Sequence, residues 1–246
     1  MLSFFKKSIF KDSFLNIIAS FILTGVVQLL AYPFLAREFP DSVYGMILTI
    51  MGVINAVGVI LGNSLNNTRL LLQSEYDKNG YNGDFKPILL VTALIGSIII
   101  GITSAKLANE IDVTVLGCIV ISLLVLIRAY YSVRFRIIIN YKKVLISNVF
   151  GVIGYIVGLV ITNISGLWFF IFVFGELFSC MYILFFSNIV HDKFKITPIF
   201  KETLQKYILI MSGSLFSTLM MYMDRFYIFP FLGAEEVSNY NVASFL

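Results

Sequence analysis

Apolar residues run through this chain in long, nearly unbroken blocks separated by short polar stretches. The blocks are apolar all round, unlike the striped helices of a water-soluble domain. At ~1.5 Å rise per residue, a helix of about 20 residues crosses the ~30 Å hydrocarbon core of a bilayer. On that measure the blocks predict spans over 13–36, 43–65, 87–105, 113–133, 144–163, 167–187 and 207–231, with an eighth beginning near Ser238 and still open at Leu246. The first block exceeds the ~7–15 residues of a signal-peptide core, so it reads as a retained span. The longest connection, 66–86, carries the turn pairs Asn79-Gly80 and Asn82-Gly83 ahead of Pro87. Connections on the opposite side are shorter still, about FPDSV, KLANEID, NISG and LGAEEVS. With no extramembrane domain in sight, function is expected within the bilayer.

The pattern also returns on itself. Pro33, Phe34, Leu35 and Ala36 close the first block and are followed by acids and Tyr44; Pro230, Phe231, Leu232 and Gly233 close the seventh and are followed by acids and Tyr240. Six spans separate the copies, an even number, so both would cross in the same direction. That is a parallel repeat about an axis along the membrane normal, an arrangement found in secondary transporters whose substrate path lies at the seam between repeats.

Composition agrees: 59% of residues are hydrophobic and 13% charged, against ~25% charged in soluble domains. The net charge of +4 would suggest a nucleic-acid partner in a soluble chain. Here the placement of the basic residues gives them another meaning. Lys6, Lys7, Lys11, Arg69, Lys78, Lys86, Arg134, Arg136, Lys142, Lys143, Lys193, Lys195, Lys201 and Lys206 all fall on one side, whereas Arg37 and Lys106 fall on the other. The positive-inside rule makes the first side cytoplasmic, with the N-terminus. Residues 1–11 set Phe4, Phe5 and Ile9 against three lysines, which suits either an interfacial helix or a basic tail. Cys118 and Cys180 lie within apolar blocks and read as packing residues.

A charge at mid-helix costs about 2.5–3.5 kcal/mol on insertion scales, so ionised groups at bilayer depth are functional candidates. They are Glu176, Arg128 and the adjacent Asp224 and Arg225. Glu176 is too short to reach water without a cavity, so it pairs with a base, Arg128 being one candidate, or takes up a proton. Asp224 and Arg225 point about 100° apart on a helix and would meet different partners, and an arginine near the outer face can also snorkel. Arg37 and Arg69 sit at span ends, where interfacial anchoring competes with a place on a transport path. Pro33 and Pro230 each remove a backbone hydrogen bond near a span end, giving a hinge in a transporter and a simple bend otherwise. Small residues four apart, at Gly58 and Gly62, Ser97 and Gly101, Ser147 and Gly151, and Gly154 and Gly158, mark close helix packing.

His191 is the lone histidine, and no HExxH, phosphate-binding glycine loop or dinucleotide fingerprint occurs. No catalytic residue, metal ligand or cofactor is assigned, and the sequons at Asn66 and Asn163 are given no role. A glycan polymerase or acyltransferase would need a large outer loop or a clustered His/Asp/Arg set. A non-transporting scaffold remains as a third class.

The stretches YPFLAREFPDSVYG (32–45), LGNSLNNTR (61–69) and YMDRFYIFPFLGAEEVSNYNVA (222–243), in this order and spacing, resemble the polysaccharide-export flippases, the Wzx-type O-antigen transporters of the multidrug/oligosaccharidyl-lipid/polysaccharide exporter superfamily. The matching positions are Pro33, Leu35, Ala36, Arg37, Asp41, Tyr44 and Gly45 in the first, Gly62 and Arg69 in the second, and Asp224, Arg225, Phe231, Leu232, Gly233, Tyr240 and Ala243 in the third. The resemblance implies an all-α polytopic transmembrane bundle made of two six-helix lobes around a central cavity. It implies passage of a lipid-linked oligosaccharide on undecaprenyl diphosphate across a bacterial inner membrane by alternating access, with or without ion coupling. Other glycan-assembly proteins are the candidate partners, and export of a drug or metabolite is the alternative within the superfamily. Laid on this chain, the organisation is a basic segment 1–12, a six-helix lobe 13–187, a basic cytoplasmic linker 188–206 and the opening of a second lobe at 207–246. The chain ends in the eighth span where the family has at least twelve, so a fragment or truncated gene is expected.

Overall fold

A segment immersed in lipid must satisfy its backbone polar groups internally, and a single long apolar run does so only as a helix. The computed structural model is accordingly 88% helical, with no strand among the described residues. It describes residues 14, 17–19, 21–108 and 112–244, with side chains except at 190, 222–226 and 241–244. The N-terminal segment 1–12 and its amphipathic pattern lie outside the described residues.

Among the described residues six helices are long and apolar enough to cross a bilayer: α1 (Ile17–Glu38), α2 (Asp41–Asn79), α3 (Phe85–Ala108), α4 (Val113–Ile137), α5 (Tyr141–Ser165) and α6 (Phe169–Phe186). They are followed by α7 (Phe200–Leu232) and α8 (Ala234–Ser244). The chain is an all-helical, multi-pass membrane protein. Its outward faces are apolar, as lipid requires: Leu94, Leu116, Val160 and Phe185 are all exposed.

Three boundaries differ from those read in the sequence. The stretch 66–79, expected as loop, extends α2 to 39 residues, about 58 Å at ~1.5 Å per residue and nearly twice the hydrocarbon thickness. Hydropathy falls there, but Leu65, Leu72 and Tyr76 recur at helical spacing and bury in a second core with Phe85, Tyr130 and Tyr207. Gly80, at φ 64°, supplies the left-handed C-terminal stop. Helix α7 begins at Phe200 rather than near 207, because its first turns form a polar helix in which Lys206 bonds Glu202 at 2.5 Å. Helix α8 begins at Ala234, directly after Gly233.

Among the described residues the most extensive helix pair is α5 on α6. A Cβ at Gly154 would stand 2.2 Å from the Phe174 carbonyl oxygen, and one at Gly158 would stand 2.6 Å from that of Phe170. Gly175 answers from α6, where a Cβ would stand 2.6 Å from the Tyr155 ring. Helix α7 lies along α2, with Ser64 Oγ donating to Ser214 Oγ at 2.9 Å and the Tyr207 hydroxyl donating to the Leu61 carbonyl at 3.4 Å. Helix α8 packs on the opening turns of α2, where Gly45 leaves so little room that a Cβ would fall 1.8 Å from the Ala234 carbonyl oxygen.

The connection from α6 to α7 is strapped down. Asp84, fully buried and at φ 52°, accepts from Thr197 N–H at 2.7 Å, from Thr197 Oγ1 at 2.5 Å and from the Tyr76 hydroxyl at 2.5 Å. Its own N–H donates to the Lys195 carbonyl at 2.7 Å, and Tyr76 reaches on to Thr203 at 2.7 Å. One carboxylate therefore ties the α2–α3 turn to the segment that delivers α7. Asp84→Ala leaves a buried amide and two hydroxyls without their acceptor, at ~1–3 kcal/mol for each unsatisfied group, so a loss of about 3 kcal/mol or more is expected. Asn tolerates the left-handed backbone and keeps one acceptor, so Asp84→Asn should lose less. Thermal unfolding of the purified protein and proteolysis within 187–199 check this; equal melting and equal cleavage in Asp84→Ala would show the strap to be idle.

Candidate functional site

Glu176 stands halfway along α6 and Arg128 in the second half of α4, on helices that pack against one another. Arg128 Nε donates to Glu176 Oε2 at 2.5 Å, and the Tyr155 hydroxyl donates to Glu176 Oε1 at 3.3 Å. Tyr155 is placed by the glycine contacts just described: with no side chain at Gly175, its ring lies against α6 one residue from the carboxylate. The two side chains are unequally enclosed, 28% exposed for Arg128 and 6% for Glu176. The arginine is the member of the pair that meets open space.

That space is a cavity of about 610 Å³. Helix α1 lines it with Thr24, Gln28 and Tyr32, α2 with Asn55, α4 with Arg128, α5 with Tyr155 and α6 with Glu176, while Met221 of α7 and Tyr240 of α8 line the remaining side. The cavity thus sits where the elements carrying the two sequence repeats meet. Two π turns shape its surroundings, Val27–Ala31 in α1 and Gly58–Asn63 in α2. Such turns insert a residue into an α-helix and recur at functional sites. The first contributes Val27 and Gln28 to the cavity lining directly.

The other candidates fall elsewhere. Arg69 is not a snorkelling interfacial anchor: it is 9% exposed, bonded to Asp192 and, at 2.7 Å, to the Tyr130 hydroxyl, with its guanidinium 4.9 Å from the centre of the Phe85 ring. The reason is that α2 continues past the membrane portion, so the residue read as a span end is mid-helix, covered by the 3₁₀ turn Asn188–His191 and the chain after it. Arg69 belongs with the Asp84 strap and not with the cavity. Arg37 is exposed at the end of α1 and does not line the cavity. Pro33 is exposed and opens the short α-helical segment after the first π turn, so its missing donor falls where the regular hydrogen-bond ladder is already interrupted. Pro230 lies inside α7 close to its end. The side chains of Asp224 and Arg225 lie outside the described residues; their backbone is part of α7.

Gln28, Asn55, Tyr32 and Tyr155 escaped a search restricted to ionised groups. The signal that finds them is the same desolvation cost applied to neutral side chains, since an amide or phenol at bilayer depth also needs a partner or water. Cys118 and Cys180 are buried and free, Cys180 contacting the Leu124 carbonyl at 3.2 Å. Among the described residues no group of three or more His, Cys, Asp or Glu side chains is placed to hold a metal ion. No protein-family model, curated protein or solved structure matches the chain.

Proposed function

We propose that this chain is a carrier that moves a lipid-linked oligosaccharide across a bacterial inner membrane by alternating access, its first six helices forming one lobe and α7 and α8 opening a second. The observation that carries the reading is the cavity at the meeting of the two repeat copies, with a charged pair on its wall. Its volume of about 610 Å³ lies within the ~300–1,000 Å³ of ligand sites, enough for the headgroup end of such a cargo. The chemistry of the lining favours a glycan over a lipophilic drug. Two amides, Gln28 and Asn55, bond hydroxyls, and three phenols, Tyr32, Tyr155 and Tyr240, offer both a flat apolar face and a polar tip. Arg128, the more exposed member of the pair, suits an anionic diphosphate, which its planar guanidinium binds in two-pronged fashion. In this reading the basic end of the bundle is cytoplasmic, and the Gly45–Ala234 contact seals the opposite end of the seam.

The test is a strain lacking the gene. Accumulation of lipid-linked glycan on the inner leaflet, reversed by the wild-type gene, supports the flippase. Normal surface glycan together with lost drug tolerance points instead to export of a drug or metabolite by the same architecture. Neither phenotype would argue for a membrane scaffold.

A further inference from the structure

A second chamber of about 320 Å³ adjoins the main cavity and shares Asn55, Val125 and Arg128 with its wall. From there it runs towards the basic end of the bundle past Val59, Asn63, Ser132, Ser147 and Asn148. Polar groups continue without a break to the surface. Asn66 Nδ2 donates to the Ala129 carbonyl at 2.6 Å and to Ser132 Oγ at 3.3 Å, and Arg136, which is exposed, donates to Asn66 Oδ1 at 2.7 Å and to Asn67 Oδ1 at 3.1 Å. The π turn Gly58–Asn63 makes this track possible. At about 100° per residue, a regular helix would carry Asn63 about 80° round from Asn55; the wider turn brings both into one chamber.

A chamber lined in this way is costly when dry. The side chains of Asn55, half-buried, and Asn63, exposed, take no hydrogen-bond partner from the protein among the described residues, and an amide facing a dry space at bilayer depth costs ~1–3 kcal/mol without one. At ~30 Å³ per water, the 320 Å³ volume admits on the order of ten molecules, with several polar side chains to bond them. We propose that the second chamber is a water-filled vestibule through which the basic side of the membrane reaches Arg128 and, past it, the Arg128–Glu176 pair. This rests on the carrier reading only for its use, as the side from which the charged pair is served. The vestibule is measurable with no cargo present, so its failure and that of the carrier reading are separable.

The experiment is thiol accessibility in the full chain with Cys118→Ala and Cys180→Ala. Val59→Cys and Asn63→Cys probe the chamber, Leu116→Cys and Phe185→Cys serve as lipid-facing controls, and Lys193→Cys marks the basic side. A membrane-impermeant charged methanethiosulfonate is added to vesicles of either orientation. Val59→Cys and Asn63→Cys should react at least ~10-fold faster than the controls, and only when the basic side faces the reagent, because the reactive thiolate forms where water and the probe have access. Adding Ser132→Phe should slow Val59→Cys by a similar factor. Control-level rates from both faces, or reaction only from the face opposite Lys193→Cys, would overturn the proposal. Val59 makes no side-chain hydrogen bond, so its cysteine variant keeps the test decisive where Asn63→Cys folds poorly.

Discussion

Glu176→Ala is expected to destabilise the bundle by ~3–5 kcal/mol and to abolish surface glycan, because it strips the partner from an arginine held within the membrane. The carboxylate is almost wholly enclosed, and it accepts both the guanidinium and the Tyr155 hydroxyl. Arg128 keeps some contact with the cavity, 28% exposed, so water recovers part of the loss and the effect should fall at the lower end of that range. The reverse substitution, Arg128→Ala, leaves the carboxylate with the Tyr155 hydroxyl but without its guanidinium and should destabilise as well.

The double variant is the informative one. Removing both charges removes both desolvation costs, so Arg128→Ala with Glu176→Ala should be more stable than either single variant while remaining inactive. Melting of the detergent-purified proteins gives the stability side of this cycle, and surface glycan at matched expression gives the activity side. A double variant that melts below both singles would mean that the two residues act separately and that the short contact carries no coupling. Wild-type glycan in either single variant would remove the pair from the transport path.

Most of the fold was legible because the dominant physical constraint, the length of apolar helix needed to cross lipid, acts on consecutive residues. The first six spans were placed by hydropathy alone, and the small residues at Gly154 and Gly158 correctly marked a close helix contact. What hydropathy could not show is helix that continues after the lipid ends. In α2 beyond Leu65, and in α7 before Tyr207, the helix is held by a buried face of Leu72, Tyr76 and Tyr207 together with the Asp84 and Arg69 bonds, and those partners come from far along the chain. The cost of intramembrane charge singled out Glu176 and named Arg128 as one candidate partner; that the two touch depends on how α4 and α6 rotate against each other, which no local pattern encodes. The surroundings of Arg69 were hidden for the same reason, since a residue at the end of an apolar run is interfacial only when nothing folds over it. The π turns were silent too, because the insertion is defined by hydrogen bonds and not by residue type.

The α5–α6 contact sets the position of Tyr155 and, through it, the geometry around Glu176, so a second large effect is expected far from any charge. Gly154→Ala places a Cβ 2.2 Å from the Phe174 carbonyl oxygen, and Gly158→Ala places one 2.6 Å from the Ile171 Cα. Both obstacles are backbone, which cannot rotate aside, so the helices must separate. In lipid that separation is serious, because no hydrophobic drive returns them and the pair is held by packing and the Tyr155–Glu176 hydrogen bond. Overpacking of this kind costs ~1–3 kcal/mol per site. The two sites share one interface, so once the first substitution has parted the helices the second should cost less than it does alone. Gly213 in α7 is the control, since a Cβ there meets nothing within 4 Å and alanine is the better helix former. Gly213→Ala should therefore melt at or above wild type, while Gly154→Ala and Gly158→Ala should melt lower and lose surface glycan even with the charged pair intact. Should Gly154→Ala melt with Gly213→Ala, the α5–α6 interface is looser than these distances require, and Tyr155 must be held beside Glu176 by something other than the glycine seam.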